Sequence, residues 1–159
     1  MTHLVCTWLG TLPYREAMDV MENAFREVSA GGDPVLLLLE HAPVITLGRH
    51  ADAGHILADA PTLAKRGVDV VETGRGGDVT FHGPGQLVGY PVMPVGRMVR
   101  RHVERIFGAL EDMLRQAGIA SRFDIESPGL WVGQDKIAAV GIEIREGISM
   151  HGFCLNVRR

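Results

Sequence analysis

Apolar positions recur along this chain with two periods. Behind Pro13, Ala17, Val20, Met21, Ala24, Phe25 and Val28 repeat at helical spacing, and Gly31-Gly32 closes the run. Proline suits the first turn because it has no N–H to leave unpaired. Val103, Ile106, Phe107, Leu110, Met113, Leu114 and Ala117 predict a second amphipathic helix, stopped by Gly118. The other apolar runs are short and read as strands: 3–9, 35–39, 44–47, 68–72, 79–82 and 87–92. The unbroken run at 35–39, between Pro34 and Glu40, predicts a strand buried on both faces. Residues 49–59 are irregular, and a short helix is expected over 61–65. After the second helix only strands follow, at 121–125, 130–132, 136–145 and 148–157, with Glu146-Gly147 as a tight hairpin turn between the last two.

The order of strand, helix, many strands, helix, many strands predicts an α+β domain: a mixed, mainly antiparallel sheet with its helices on one side. Strict βαβ alternation is absent, which counts against a doubly wound nucleotide fold. At 159 residues, 46% hydrophobic and 22% charged, the chain reads as a single domain over 1–159 with one substantial core. A net charge of −3 leaves no basic footprint for nucleic acid or a membrane surface. The richest basic run, 97–105, carries Glu104 and reads as a solvated helix face. Two cysteines, Cys6 and Cys154, form no disulfide framework. The amino terminus lacks a signal-peptide pattern, and the longest apolar run is far below the roughly 20 residues that span a bilayer. A reducing, cytoplasmic setting is expected.

Three segments carry candidate chemistry. The densest is 74–86, Gly-Arg-Gly-Gly-Asp-Val-Thr-Phe-His-Gly-Pro-Gly-Gln, with five glycines in 13 positions. Such crowding occurs where the main chain turns sharply or approaches a ligand closely. It reads either as a lip around an acyl or phosphate-bearing group or as two unrelated turns. It has neither the lysine and hydroxyl of a Walker A loop nor a G-x-G-x-x-G opening a helix. In the second segment, 128–141, Lys136 opens an apolar strand, either as a solvated edge or as a charge that holds an anion or stabilises a thiolate. The third is His151-Gly152-Phe153-Cys154-Leu155-Asn156, where a lone histidine is more often a satisfied core residue than a catalyst. His41, His50 and His82 show no zinc-site spacing, so no metal is expected.

Together these segments resemble the lipoyl(octanoyl) transferase family. The resemblance rests on Arg75-Gly76-Gly77-Asp78-Val79-Thr80-Phe81-His82-Gly83-Pro84-Gly85-Gln86, on Pro43 to Arg49 upstream, on Gly129 to Gly133 with Lys136-Ile137, and on His151-Gly152 with Leu155-Asn156. It implies the fold of the biotin and lipoate protein ligases, and an acyl transfer in two steps. A cysteine thiolate takes octanoyl from acyl carrier protein, and a lysine of a lipoyl domain then attacks the acyl-enzyme. The implied acceptors are the lipoyl domains of 2-oxoacid dehydrogenases and the glycine cleavage H protein. By resemblance Lys136 lowers the pKa of that cysteine, Arg75 to His82 line the acyl site, and Ala139-Val140-Gly141 with Gly152-Phe153-Cys154 supply main-chain contacts. No cofactor, metal or nucleic acid is implied.

The resemblance also places the nucleophile in a Pro-Cys-Gly turn downstream of the His-Gly-x-x-Leu-Asn strand. These 159 residues contain no such turn, so the sequence reads as the family's domain without its C-terminal segment, with apolar surface uncovered and a sticky, partner-dependent protein expected. Cys154 is a weak candidate for a substitute, and Cys6, in the first strand, a weaker one. A two-residue turn at Glu146-Gly147 pairs Ala139 with Cys154, and strict alternation then puts Lys136 and Cys154 on opposite faces unless a bulge, for instance at Gly141, intervenes. Two other functions compete: an ATP-dependent lipoate or biotin-type ligase, which needs no cysteine, and a non-catalytic relative that only binds the carrier or lipoyl domain.

Overall fold

The computed structural model of the chain describes residues 3–158. Strand β1 (Val5–Leu12) leads into helix α1 (Tyr14–Ser29), which starts behind Pro13 as its sequence predicts. Strands β2 (Val35–His41) and β3 (Val44–Leu47) follow, then a 3-10 turn at Ala53–His55, α2 (Ala60–Lys65), β4 (Asp69–Glu72), β5 (Val79–His82) and β6 (Gln86–Pro94). Helix α3 spans Val99–Gln116, and β7 (Arg122–Asp124), β8 (Gly129–Val132), β9 (Asp135–Arg145) and β10 (Ile148–Asn156) complete the chain. Asp59 caps α2 by accepting from the Thr62 amide at 2.9 Å.

Two sheets result. The larger has seven strands in the order β1-β2-β6-β10-β9-β8-β7, and the smaller has three in the order β4-β3-β5. Pairing is antiparallel except for β1 with β2 and β3 with β4. The β1–β2 pair is parallel because α1 provides the long crossover that such a pair requires. The sheet is thus mixed and mainly antiparallel. At the β9–β10 hairpin, Glu146 (φ 52°) and Gly147 (φ 77°) both lie in the left-handed region, as a two-residue primed turn demands.

The expectation that the helices share one side is corrected. Helix α1 packs Ala17, Met21, Ala24, Phe25 and Val28 against Leu37, Leu39, Val88, Val92, Met150 and Cys154. Helix α3 packs Ile106, Phe107, Leu110 and Leu114 against Leu130, Ala138, Ile142 and Leu155. Cys154 and Leu155 are neighbours on one strand, so the two cores lie on opposite faces of the large sheet. Periodicity shows that each helix has an apolar stripe, but not which side of the sheet the stripe meets.

Candidate active site

Beyond the N-terminal end of α1, a cavity of about 550 Å³ opens between the α1-side face of β6, β10 and β9 and the segment from Arg75 through β5. Its walls include Arg75, Gly76, Gly77, Asp78, Val79, Thr80, Phe81 and His82 from that segment. Ala139, Val140 and Gly141 of β9, Gly152, Phe153 and Cys154 of β10, and Lys136 complete them. Three stretches far apart in sequence therefore meet at one space, joined there by Tyr14, Tyr90 and His151.

Arg75 holds the glycine-rich loop in place. Its guanidinium donates from Nη2 to Thr46 O and Thr46 Oγ1 at 2.7 Å and to Asp78 O at 2.8 Å. Nε donates to Thr46 Oγ1 at 3.1 Å and Nη1 to Gly76 O at 3.0 Å. The group is buried, and these acceptors are all uncharged. Small residues make its position possible. A Cβ at Gly48 would come within 2.8 Å of Arg75 Nη1 and 2.3 Å of Gly77 O, and one at Gly141 within 2.8 Å of Gly76 O. The loop thus lies against β3 and β9 through backbone contacts that only glycine permits. Asp78 turns its carboxylate away, accepting from the Asp52 amide at 3.0 Å and facing His55 Nδ1 at 2.5 Å, so its side chain pins the loop over 50–55.

Lys136 and Cys154 share the cavity, which corrects their expected separation. The predicted register is present, with Arg145 opposite Ile148 and Ala139 opposite Cys154. On the other edge of β9, however, Leu130 pairs with Ala138 while Trp131 pairs with Lys136, leaving Ile137 as an extra residue. This bulge, rather than one at Gly141, returns Lys136 to the face of Cys154. The Lys136 ammonium lies 5.0 Å from the centroid of the Trp131 ring. Burial pushes the Cys154 thiol pKa up, and the Ala139 amide, Arg75 and Lys136 oppose that shift without cancelling it.

Sequence reasoning named His82 and the segment from His151, but missed Tyr14, Tyr90 and the buried His41 behind them. His41 donates from Nδ1 to Leu12 O at 3.3 Å and accepts at Nε2 from the Tyr90 hydroxyl at 2.6 Å, which assigns its tautomer. His82 donates from Nδ1 to Gln86 Oε1 at 2.6 Å and turns Nε2 toward Thr46 Oγ1 at 3.3 Å. His151 sits at φ 56° in the middle of β10, and its amide donates to Met21 Sδ at 3.1 Å. That left-handed residue breaks the alternation and brings its ring 6.1 Å from the Tyr90 ring, with Nε2 3.5 Å from Glu143. All three histidine pKa values fall to about 4, chiefly through burial. The rings are therefore neutral at pH 7. The Tyr14 hydroxyl is buried, and burial pushes its pKa up to about 12 against the opposing pull of Arg75 and Thr73. Among the described residues, no group of three or more His, Cys, Asp or Glu is placed to hold a metal. No described helix is long and apolar enough to cross a membrane.

Comparison with known proteins gives a consistent set of relatives. The profile of the lipoyl protein ligase A/B catalytic domain matches residues 13–159. An octanoyltransferase of Alkaliphilus metalliredigens is 41% identical over 98% of this chain, which spans 73% of that protein. One of Myxococcus xanthus is 44% identical over 94% of the chain, which spans 44% of it. In three dimensions the chain resembles P. falciparum LipL1 in complex with lipoate, with a TM-score of 0.80, 11% identity, and coverage of 99% of this chain and 48% of that one. It also resembles a chain from the structural analysis of a bi-partite lipoate protein ligase and its E2 lipoyl domain from Thermoplasma acidophilum: TM-score 0.74, 18% identity, coverage 99% and 62%. At those identities the structural likeness speaks for the fold.

Proposed function

The chain belongs to the lipoyl protein ligase A/B catalytic domain family, and from that premise we propose that it serves octanoyl transfer from acyl carrier protein to a lysine of lipoyl domains. Octanoyltransferase relatives at 41% and 44% identity support this choice within the family. The acceptors on this reading are lipoyl domains of 2-oxoacid dehydrogenases and the glycine cleavage H protein. The observation that carries it is the single cavity of about 550 Å³ in which the Arg75–His82 segment, Lys136 and the end of β10 converge. That volume is within the ordinary range for small-ligand sites, and it suits a medium acyl chain.

The chemistry divides among named groups. A thiolate attacks the thioester carbonyl, the carbon–sulfur bond to the carrier breaks, and the carrier thiol leaves with a proton. The acceptor amine then attacks the new thioester, and an amide replaces the second carbon–sulfur bond. Lys136 supplies positive charge that favours thiolate over thiol. Arg75 holds the loop that walls the acyl site, its own hydrogen bonds already committed to the fold. The neutral His82 and His151 place polar groups at the cavity wall without adding charge.

Cys154 is a poor nucleophile, since burial raises its pKa. The reading therefore assigns attack to the cysteine of a Pro-Cys-Gly turn, as the family resemblance implies. ATP-dependent lipoate ligation is the second reading, favoured by a fold neighbour described as lipoate-protein ligase A bound with ATP. The deciding experiment measures intact mass after incubation with octanoyl-acyl carrier protein, then repeats it with the Pro-Cys-Gly segment of an octanoyltransferase joined to the chain. No adduct on the chain alone, and ATP-independent transfer by the extended protein, are expected. An octanoyl adduct on Cys154 would relocate the nucleophile. Transfer that requires ATP, or none by the extended protein, would overturn the reading.

A further inference from the structure

The bulge that turns Lys136 into the cavity needs something to hold it. Strands β9 and β10 stay in register from Arg145 opposite Ile148 to Ala138 opposite Leu155. Two more steps would set Lys136 opposite Val157. There β10 ends, and the amides of Val157 and Arg158 donate instead to Gly85 O at 2.9 and 3.0 Å. The Lys136 carbonyl receives a side chain in their place: Asn156 Nδ2 donates to it at 3.3 Å. Asn156 Oδ1 in turn accepts from Gln86 Nε2 at 2.9 Å, and Gln86 Oε1 accepts from His82 Nδ1 at 2.6 Å. Each oxygen can only accept, so this chain of amides has one direction, running from the ring of His82 to the backbone of Lys136.

We propose that Asn156, oriented by Gln86, is the positioning residue for Lys136. Its amide replaces the strand ladder where the ladder stops, and so fixes the bulge that aims the lysine into the cavity. The inference rests on the functional reading for its purpose, since a cation placed by chance would not need such a brace. The geometry stands without that reading. Across the bulge, Gly129 gives the lysine stem its path, because a Cβ there would come within 3.0 Å of Lys136 Cδ and Cε and 2.8 Å of Ala138 O. The ammonium then lies over Trp131. Asn156 is exposed and adds nothing to either core, so its tie to Lys136 is a separable function.

The chain has only two lysines, Lys65 and Lys136, which makes the test direct. Reductive methylation with labelled formaldehyde gives each lysine a dimethylammonium NMR signal and keeps its charge. The Trp131 ring current should displace the Lys136 signal, and Trp131→Leu defines the undisplaced position. Asn156→Ala, and Asn156→Asp as an equal-sized variant without the donor, are expected to remove roughly half or more of that displacement, with Gln86→Leu removing less. Lys65, on α2, should not move. A Lys136 signal that stays put in both Asn156 variants while Trp131→Leu moves it would overturn the proposal. So would one that Trp131→Leu leaves unmoved. In the extended protein of the transfer assay, the Asn156 variants should lower kcat about tenfold with little change in KM. The NMR arm needs no turnover, so failure of the functional reading and failure of this proposal are told apart.

Discussion

On its α1 side, the open end of the large sheet is walled by two histidines, two tyrosines and a buried arginine, with His41 buried behind Tyr90. On the α3 side, Leu36, Leu38, Leu87, Pro91, Met93, Met98, Met113 and Phe153 line a groove of about 440 Å³. The first region is held by directed bonds, in which each buried donor needs an acceptor at the right place. The second is mostly apolar, with Arg101, His102 and Arg105 on its α3 wall, and is held chiefly by shape and area. Damage to the polar wall should therefore be large and residue-specific, whereas changes along the apolar groove should register mainly in association.

The largest expected effect in the polar wall is at Arg75. Replacing it by Met strips donors from the buried Thr46 carbonyl and the part-buried Gly76 carbonyl, and one of two donors from Asp78 O, which keeps the Gly48 amide at 3.2 Å. A buried acceptor left unpaired costs on the order of 1–3 kcal/mol, and water relieves the part-buried ones, so a loss of about 3 kcal/mol is expected in urea unfolding. Arg75→Lys should recover little of it, because one ammonium cannot reproduce the guanidinium fork. A loss below about 1 kcal/mol would mean that the loop is held by its glycine contacts alone.

Acid comes next. His41, His82 and His151 have folded pKa values of about 4. Below their unfolded value of about 6.5, the unfolded chain takes up protons that the folded chain refuses. Their contribution is thus whole above pH 6.5 and lost as pH falls toward 4. The upper limit is about 3 kcal/mol for each histidine treated alone, and their coupling makes the joint loss smaller than a sum. Stability measured by urea titration from pH 7.5 to 4.5 should fall steeply, and His151→Asn should flatten the slope. A flat profile would show that the rings are protonated as readily folded as unfolded.

Much of this arrangement was legible in the chain. The spacing of Ala17 to Val28 gives α1, residues 44–47 and 79–82 are the observed bounds of β3 and β5, and Glu146-Gly147 is the turn. The crowded glycines of 74–86 predict sharp turns or a close approach to a ligand. Gly77 (φ 91°) and Gly85 (φ 90°) do turn through the left-handed region. The close approach observed is to the protein itself, where a Cβ on Gly74 would meet the Glu143 carboxylate. What escaped depends on single-residue breaks in alternation. Nothing in Lys136-Ile137-Ala138 announces a bulge, and the left-handed residue in β10 is His151 rather than the adjacent Gly152. Gly152 serves another need there: a Cβ on it would come within 2.1 Å of Gly89 O. Arg75 drew attention as a ligand residue, but the backbone and Thr46 take up its hydrogen bonds.

Adjacent residues of β10 sharpen the comparison at smaller scale. Leu155 faces the α3 core and Cys154 the α1 core beside the cavity. Leu155→Ala should cost about 2–5 kcal/mol in chemical unfolding, the usual range for a buried leucine. Cys154→Ala, which removes one sulfur next to existing free space, should cost about 1 kcal/mol or less. Equal losses at the two positions would mean that the cavity wall is as tightly packed as the core under α3.

The smallest effect on folding is expected at the rim of the groove. Met98 and Met113 are 56% and 43% exposed, so changing both to Gln should alter unfolding free energy by less than about 0.5 kcal/mol. Association should respond more. A continuous apolar surface in water gains by being covered, whatever covers it, and two thioethers at its edge add area to every such contact. Sedimentation of the unmodified chain should show concentration-dependent association, which the double variant reduces. A strictly monomeric chain at high concentration would break the contrast, because the groove would then be stable in water without a partner.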